Sequence, residues 1–124
     1  MATDTPIRAA LGVENLVLSY HYLNLRDPDG YASLLDELVV VNVPGQGLVQ
    51  GRTPLLRHLT TFIDPRVHHH IDRILTDGGG AAAVIGRLTS GNGETGFVDI
   101  VELSDECLLT SLSRYVSAAP PTLN

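Results

Sequence analysis

The stretch VHHHIDRILT-DGGG-AAAVIGRLT-SGNG-ETGFVDIVEL-SDE-CLLTSLSRYV, Val67 to Val116, decides how the chain folds. It divides into four expected strands, Val67–Thr76, Ala81–Thr89, Gly96–Leu103 and Leu108–Val116. Turns separate them at Asp77–Gly80, Ser90–Gly93 and Ser104–Glu106. The first two turns are rich in residues that tolerate positive φ, the chemistry of tight hairpins. Everything before Pro65 reads mainly as helix. A helical half followed by an antiparallel meander predicts an α+β fold with helices packed on one face of the sheet. His68, His70, Asp72, Asp99 and Arg114 lie inside these strands. Alternate strand residues point to opposite faces, so parity decides which of them share a helix-covered cavity.

Composition narrows the function. The 124 residues fit one domain, 1–124, with plain polar ends at 1–6 and 118–124. The net charge is −6 and all eight basic residues are arginine. With no basic patch interleaved with aromatics, nucleic-acid binding is not expected. Cys107 is the only cysteine, which excludes an internal disulfide and any multi-cysteine metal site. The start Met1-Ala2-Thr3-Asp4-Thr5-Pro6 lacks the pattern of a signal peptide, and no apolar run reaches membrane-spanning length. A cytoplasmic protein without membrane contact is expected.

In the first half, Ile7–Arg26 carries Leu11, Leu16, Val17, Leu18, Tyr20, Tyr22, Leu23 and Leu25, an apolar cover that predicts a helix buried on most sides. Asp27-Pro28-Asp29-Gly30 stops it, and Tyr31–Leu35 makes a short second helix. Leu38–Val43 is a strand ended by Pro44–Gly47. Gly51-Arg52-Thr53-Pro54 opens a third helix, with Thr53 as N-cap, running to about Ile63 before Asp64-Pro65.

On the strand Val67–Thr76, His68, His70 and Asp72 share one face and His69 and Ile71 the other. Two imidazoles and a carboxylate suit zinc or iron, but they are a partial ligand set, so no metal is expected to be required. The remaining readings are a histidine at a strand mouth, hydrogen-bonded to backbone or water, and a general acid or base in a pocket. Phe97, Asp99, Val101 and Leu103 share a face of the next-to-last strand. A carboxylate there needs a partner or a raised pKa. Arg114, in the last strand, stands at a comparable distance from the connecting turn and is the natural cation for Asp99. The opposite face carries Val98 and Ile100, so both faces are largely apolar and a homodimer through the outer face is expected. Gly45, Gly47 and Gly51 fit no nucleotide-binding spacing.

Tyr20–Asp27, Leu34–Glu37 before Val39–Val41, Gly51–Arg57, Phe97–Leu103 and Leu112–Tyr115, in that order, resemble the nuclear transport factor 2-like superfamily, in particular its SnoaL-like branch. The resemblance spans roughly Leu11 to Val116. It implies a cone-shaped roll, a curved and mostly antiparallel sheet wrapped by about three helices around an apolar pocket. It also implies a cofactor-free cyclase, isomerase or dehydratase acting by proton transfer on a hydrophobic, oxygenated small molecule of polyketide or terpenoid kind. The alternative it implies is a non-catalytic binding or dimerisation module. Residue by residue, Asn42 falls where ketosteroid isomerases carry an aspartate base. Asp99 matches the acid that donates to the oxyanion, and Arg114 falls where epoxide hydrolases carry an aspartate. His68 and His70, with Tyr20 or Tyr22, resemble the acid/base pairs of dehydratase-type members. The resemblance thus makes His70, His68, Asp99, Tyr20 and Tyr22 the candidate catalytic residues, with Asn42, Arg114, Asp72 and Phe97 lining the pocket.

Overall fold

The computed structural model describes residues 5–45, 47–62, 66–91 and 93–117. The expected polar ends at 1–4 and 118–124, and the helix stop at Asp64-Pro65, lie outside them. The order of elements is α1 (Thr5–Leu25), α2 (Pro28–Ala32), β1 (Leu35–Val43), β2 (Gly47–Gln50), α3 (Arg52–Phe62), β3 (His68–Thr76), β4 (Ala81–Ser90), β5 (Gly93–Leu103) and β6 (Leu109–Val116). The strands form one six-stranded sheet in the order β2-β1-β6-β5-β4-β3, antiparallel except where β1 runs parallel to β6.

The β3-β4-β5-β6 meander follows the hairpin arithmetic of the sequence. The first half departs from it in several places. Pro28 ends α1 but also begins α2, because a proline at the first helical position gives up only an N–H that would be unpaired anyway. Asp27 caps that helix, its carboxylate accepting from the Gly30 N–H at 3.0 Å, so α2 starts before Tyr31 and ends at Ala32. Strand β1 then begins at Leu35. The short strand β2 was not foreseen: Gly45 and Gly47, at φ 78° and 79°, turn the chain so that Val49 pairs with Val41. Helix α3 starts at Arg52 rather than after Thr53, with Gly51 at φ 96° before it and the Leu55 N–H donating to the Gly51 carbonyl.

Helix α1 is less buried than its composition suggests. Leu16, Ser19 and Tyr20 face the sheet, whereas Ile7, Leu11, Val17 and Leu25 are exposed. A single sheet face covers only one side of a helix, and α2 meets α1 only near the latter's end. Leu35, Val39, Leu55, Val84 and Val101 have essentially no accessible surface and form the centre of the core. Register shifts at Ile71/Arg73, Glu102/Leu103 and Leu35/Val40 bend the strands around it.

Gly86 lies opposite Phe97 in the β4–β5 ladder. A Cβ there would overlap the His70 carbonyl oxygen and stand 2.9 Å from the Phe97 ring. Gly86→Ala is expected to lower stability by about 1–3 kcal/mol, as overpacking does. Chemical denaturation of the two proteins side by side measures this.

Candidate functional site

Cross-strand register builds the site. Asp99 on β5 pairs directly with Arg114 on β6, and both point to the helix-covered face. The guanidinium grips the carboxylate in parallel, Nε to Oδ1 and Nη2 to Oδ2, both at 2.8 Å. From α1, the Tyr20 hydroxyl donates to Asp99 Oδ2 at 2.5 Å. Asp99 is fully buried and accepts all of these bonds as a carboxylate. Phe97, two residues back on the same face, lies under the Arg114 guanidinium at 4.6 Å from its ring centroid, a cation–π contact.

The third nitrogen of Arg114, Nη1, reaches His69 Nε2 at 3.2 Å. A guanidinium has only donors, so Nε2 must be the bare, accepting nitrogen and the proton of a neutral ring must sit on Nδ1. That Nδ1 is buried and has no hydrogen-bond partner among the described residues. Asn24 fixes the residue from behind. Its side-chain amide donates to the His69 carbonyl at 2.9 Å and accepts from the His69 N–H at 2.8 Å. Because β3 is an edge strand, these backbone groups would otherwise lack a partner strand. Burial, then the positive charges of Arg114 and Arg26, push the His69 pKa down to about 3. Burial, reinforced by the Asp99 charge and hydrogen bond, raises that of Tyr20. Burial also carries Tyr31 up to about 12. For Arg114, burial opposes the charge, but the hydrogen bond and charge of Asp99 outweigh it and the pKa rises.

Of these groups, Tyr20, Tyr31, His69 and Arg114 border a cavity of about 60 Å³ between α1, α2, α3 and the sheet. Its wall is apolar (Leu23, Val41, Val43, Leu55, Leu59, Leu112), and its polar groups are Ser19, Tyr20, Tyr31, His58, His69 and Arg114.

Of the residues singled out in the sequence, Tyr20, Asp99, Phe97 and Arg114 are brought together. His68, His70 and Asp72 are not. The inward positions of β3 are His69 and Ile71, opposite Leu88 and Gly86, so His68 and His70 point to the outer face. There His70 contacts Thr89, and Asp72 is held by Arg87 at 3.0 Å. Asn42 is also outward: Val39 and Val41 are buried, and the strand's alternation turns the amide to solvent. Tyr22 lies a helical step away from Tyr20 and packs against Gly30 of α2. Sequence reasoning overlooked His69, Tyr31 and His58. For His69 a signal existed, since it alternates with the apolar Ile71. Tyr31 and His58 carried none. Among the described residues no group of three or more His, Cys, Asp or Glu is placed to hold a metal ion, and no helix is long and apolar enough to cross a membrane.

A profile of the SnoaL-like domain matches residues 18–107. The chain belongs to the SnoaL-like domain family. No curated protein matches its sequence. Among solved structures, an NTF-2 like protein of unknown function from Burkholderia xenovorans LB400 is similar with a TM-score of 0.82 at 17% identity, over 95% of this chain and 90% of that one. A candidate ketosteroid isomerase from Kribbella flavida DSM 17836 is similar with a TM-score of 0.77 at 25% identity, over 90% and 81%. SalBIII, an epoxide hydrolase/cyclase-like enzyme in pyran ring formation in the polyether salinomycin, gives 0.76 at 16%, over 89% and 93%. The SnoaL-like fold of this chain is thus shared with isomerase- and cyclase-like proteins.

The geometry yields three predictions. Asp99→Ala leaves the Arg114 charge buried without its partner and is expected to cost about 3–5 kcal/mol. Tyr20→Phe, which removes one bond to a charged acceptor, should cost roughly 1.5–3 kcal/mol. Urea titration of both variants measures these losses. The His69 ring titrates near 6.5 when unfolded and near 3 when folded. Between those values the unfolded chain binds the extra proton, so stability should fall as pH drops from about 6.5 towards 3. His69→Gln should flatten that limb of a melting-temperature profile relative to the parent protein.

Proposed function

We propose that the protein is a cyclase- or isomerase-type enzyme that binds a neutral, hydrophobic, oxygenated small molecule and activates one of its oxygens by hydrogen-bond donation. The observation that carries this reading is the orphaned Nδ1 of His69, a buried donor beside an apolar cavity. A buried donor without an acceptor costs on the order of 1–3 kcal/mol, a penalty that a ligand oxygen relieves. Tyr31 brings a second neutral donor to the same wall, a phenol held protonated by burial. Donors aimed at an oxygen stabilise the charge it develops during enolisation, ring closure or loss of water. The polar cluster carries no net charge, because Asp99 and Arg114 cancel each other, which favours a neutral ligand over a carboxylate or an amine. A cavity of about 60 Å³ has room for a few water-sized groups, so it suits the oxygen-bearing end of a ligand.

His69 is a poor base in this reading, since its Nε2 already accepts from Arg114 and its pKa is near 3. Asp99 is equally committed, to Tyr20 and Arg114. A second reading, a binding module without turnover, draws on one observation: where related isomerases carry a base, β1 turns Asn42 outward and presents Val41 and Val43 to the cavity. Incubation with a panel of neutral unsaturated ketones, β-hydroxy ketones and hydroxy-epoxides separates the two. Turnover that falls by about 10²-fold or more in Tyr31→Phe supports the enzyme. Binding seen by NMR at His69 and Tyr31 without turnover supports the module, and selective binding of carboxylates contradicts both.

The same proposal takes the protein as a cytoplasmic homodimer joined through the outer face of the sheet. Ile100 and Tyr115 are 45% and 61% exposed there, beside the outward Val98. Sedimentation at micromolar concentration is expected to give a dimer that Ile100→Glu dissociates, and a monomer unaffected by that change would contradict it.

A further inference from the structure

The outer face of β3 carries a pair of histidines that the pocket does not use. His68 and His70 stand two residues apart on an edge strand, so both side chains leave the same face. Their ring centroids are 4.8 Å apart, at an interplanar angle of 52°. A transition-metal ion sits about 2.0–2.1 Å from a ligating ring nitrogen, hence roughly 3.2 Å from the ring centroid. Two imidazoles meeting at one ion at about 90–110° therefore hold their centroids roughly 4.5–5.2 Å apart. The observed spacing falls within that interval before any ion is present.

The surroundings orient the rings. Thr89, opposite His68 in the ladder, holds His70 Nε2 at 3.1 Å through its hydroxyl, which leaves Nδ1 of that ring to ligate. Such a contact orients a ligand ring and selects its tautomer, as second-shell partners of metal-bound histidines do. Glu94, opposite Thr89 on β5, and Asp72 share the single guanidinium of Arg87. Arg26, whose guanidinium donates to the Val67 carbonyl next to His68, offsets the second carboxylate, so the site rests on ring geometry rather than on net charge. Asp72 is held by Arg87 through two nitrogens, so water completes the coordination sphere rather than a third side chain.

We propose that His68 and His70 form a surface site for a divalent transition-metal ion, Cu²⁺ foremost, on the outer face of the sheet. Two imidazole nitrogens displace two waters of the aquo ion and the remaining positions stay hydrated. Imidazole ligation suits copper, nickel and zinc, and the general affinity order places Cu²⁺ above Ni²⁺ and Zn²⁺. Hard cations that prefer oxygen, such as Mg²⁺, are not taken. The site lies at the free edge of the sheet, two strands from Ile100, and is separate from the Tyr20–Asp99–Arg114 cluster on the inner face. It does not depend on the function proposed for that cluster.

The test is calorimetric titration of tag-free protein with CuSO₄, with electron paramagnetic resonance of the same samples. One Cu²⁺ per chain with nitrogen ligation is expected, and MgCl₂ should give no binding. Loss of a second-shell contact alone costs roughly 10–100-fold in metal affinity, so His68→Ala or His70→Ala should each weaken binding at least about tenfold. His21→Ala, which removes an exposed histidine from α1, should leave affinity unchanged. Both strand substitutions lie on the solvent face, and an unchanged circular dichroism spectrum shows that they fold. Absence of Cu²⁺ binding, or binding that survives His70→Ala at full affinity, overturns the proposal.

Discussion

The ion pair between Asp99 and Arg114 is the constraint on which the rest of the site depends. Both charges leave water on folding, at an effective cost of several kcal/mol per ion before their attraction is counted. The pair tolerates this because register sets the two side chains opposite one another and the bidentate geometry satisfies both carboxylate oxygens. An apolar pair of the same volume is often as stable or more so, which makes the retained charge a candidate for function rather than for stability.

The consequences pass outward through single atoms. Tyr20 must give its proton towards Asp99, because a carboxylate can only accept. His69 must present a bare Nε2 to Arg114, so its one proton is displaced to Nδ1. Phe97 covers the guanidinium and meets the His69 ring edge-on, centroids 5.8 Å apart, which fixes the ring plane. Asn24, from α1, fixes the backbone that carries that ring. A single ion pair thus turns a set of ambidextrous groups into a wall of defined donors. Leu23 of α1, Leu55 and Leu59 of α3, and Val41, Val43 and Leu112 of the sheet supply the apolar remainder that keeps those donors dry.

Much of this was legible in the sequence because it rests on short-range rules. The four-strand meander follows from its turn residues, and the meeting of Asp99 with Arg114 follows from counting outward from the Ser104–Glu106 turn. The choice between strand faces was not legible. His68, His70 and Asp72 make a more polar stripe than His69 and Ile71, and polar residues attract a functional reading. Yet the helix-covered face took the apolar Ile71, and with it His69. The same logic turned Asn42 outward, because Val39, Val41 and Val43 claim the core side of β1. Tyr20 could not be told from Tyr22 because a helix apolar on so many sides does not declare its inward face. The close approach of Gly30 to the Tyr22 ring, a tertiary contact, separates them. Strand β2 escaped notice because its four residues gain their place only from pairing with β1.

The protonation state of His69 tests the account most directly. Nitrogen-15 NMR of labelled protein at neutral pH distinguishes the two neutral tautomers from each other and from the cation. The structure predicts a neutral ring protonated on Nδ1, with Nε2 bare and close to Arg114, remaining so as the pH falls well below 6. A cationic imidazolium at neutral pH, or a ring protonated on Nε2, would contradict it, because Arg114 could then not be donating to His69.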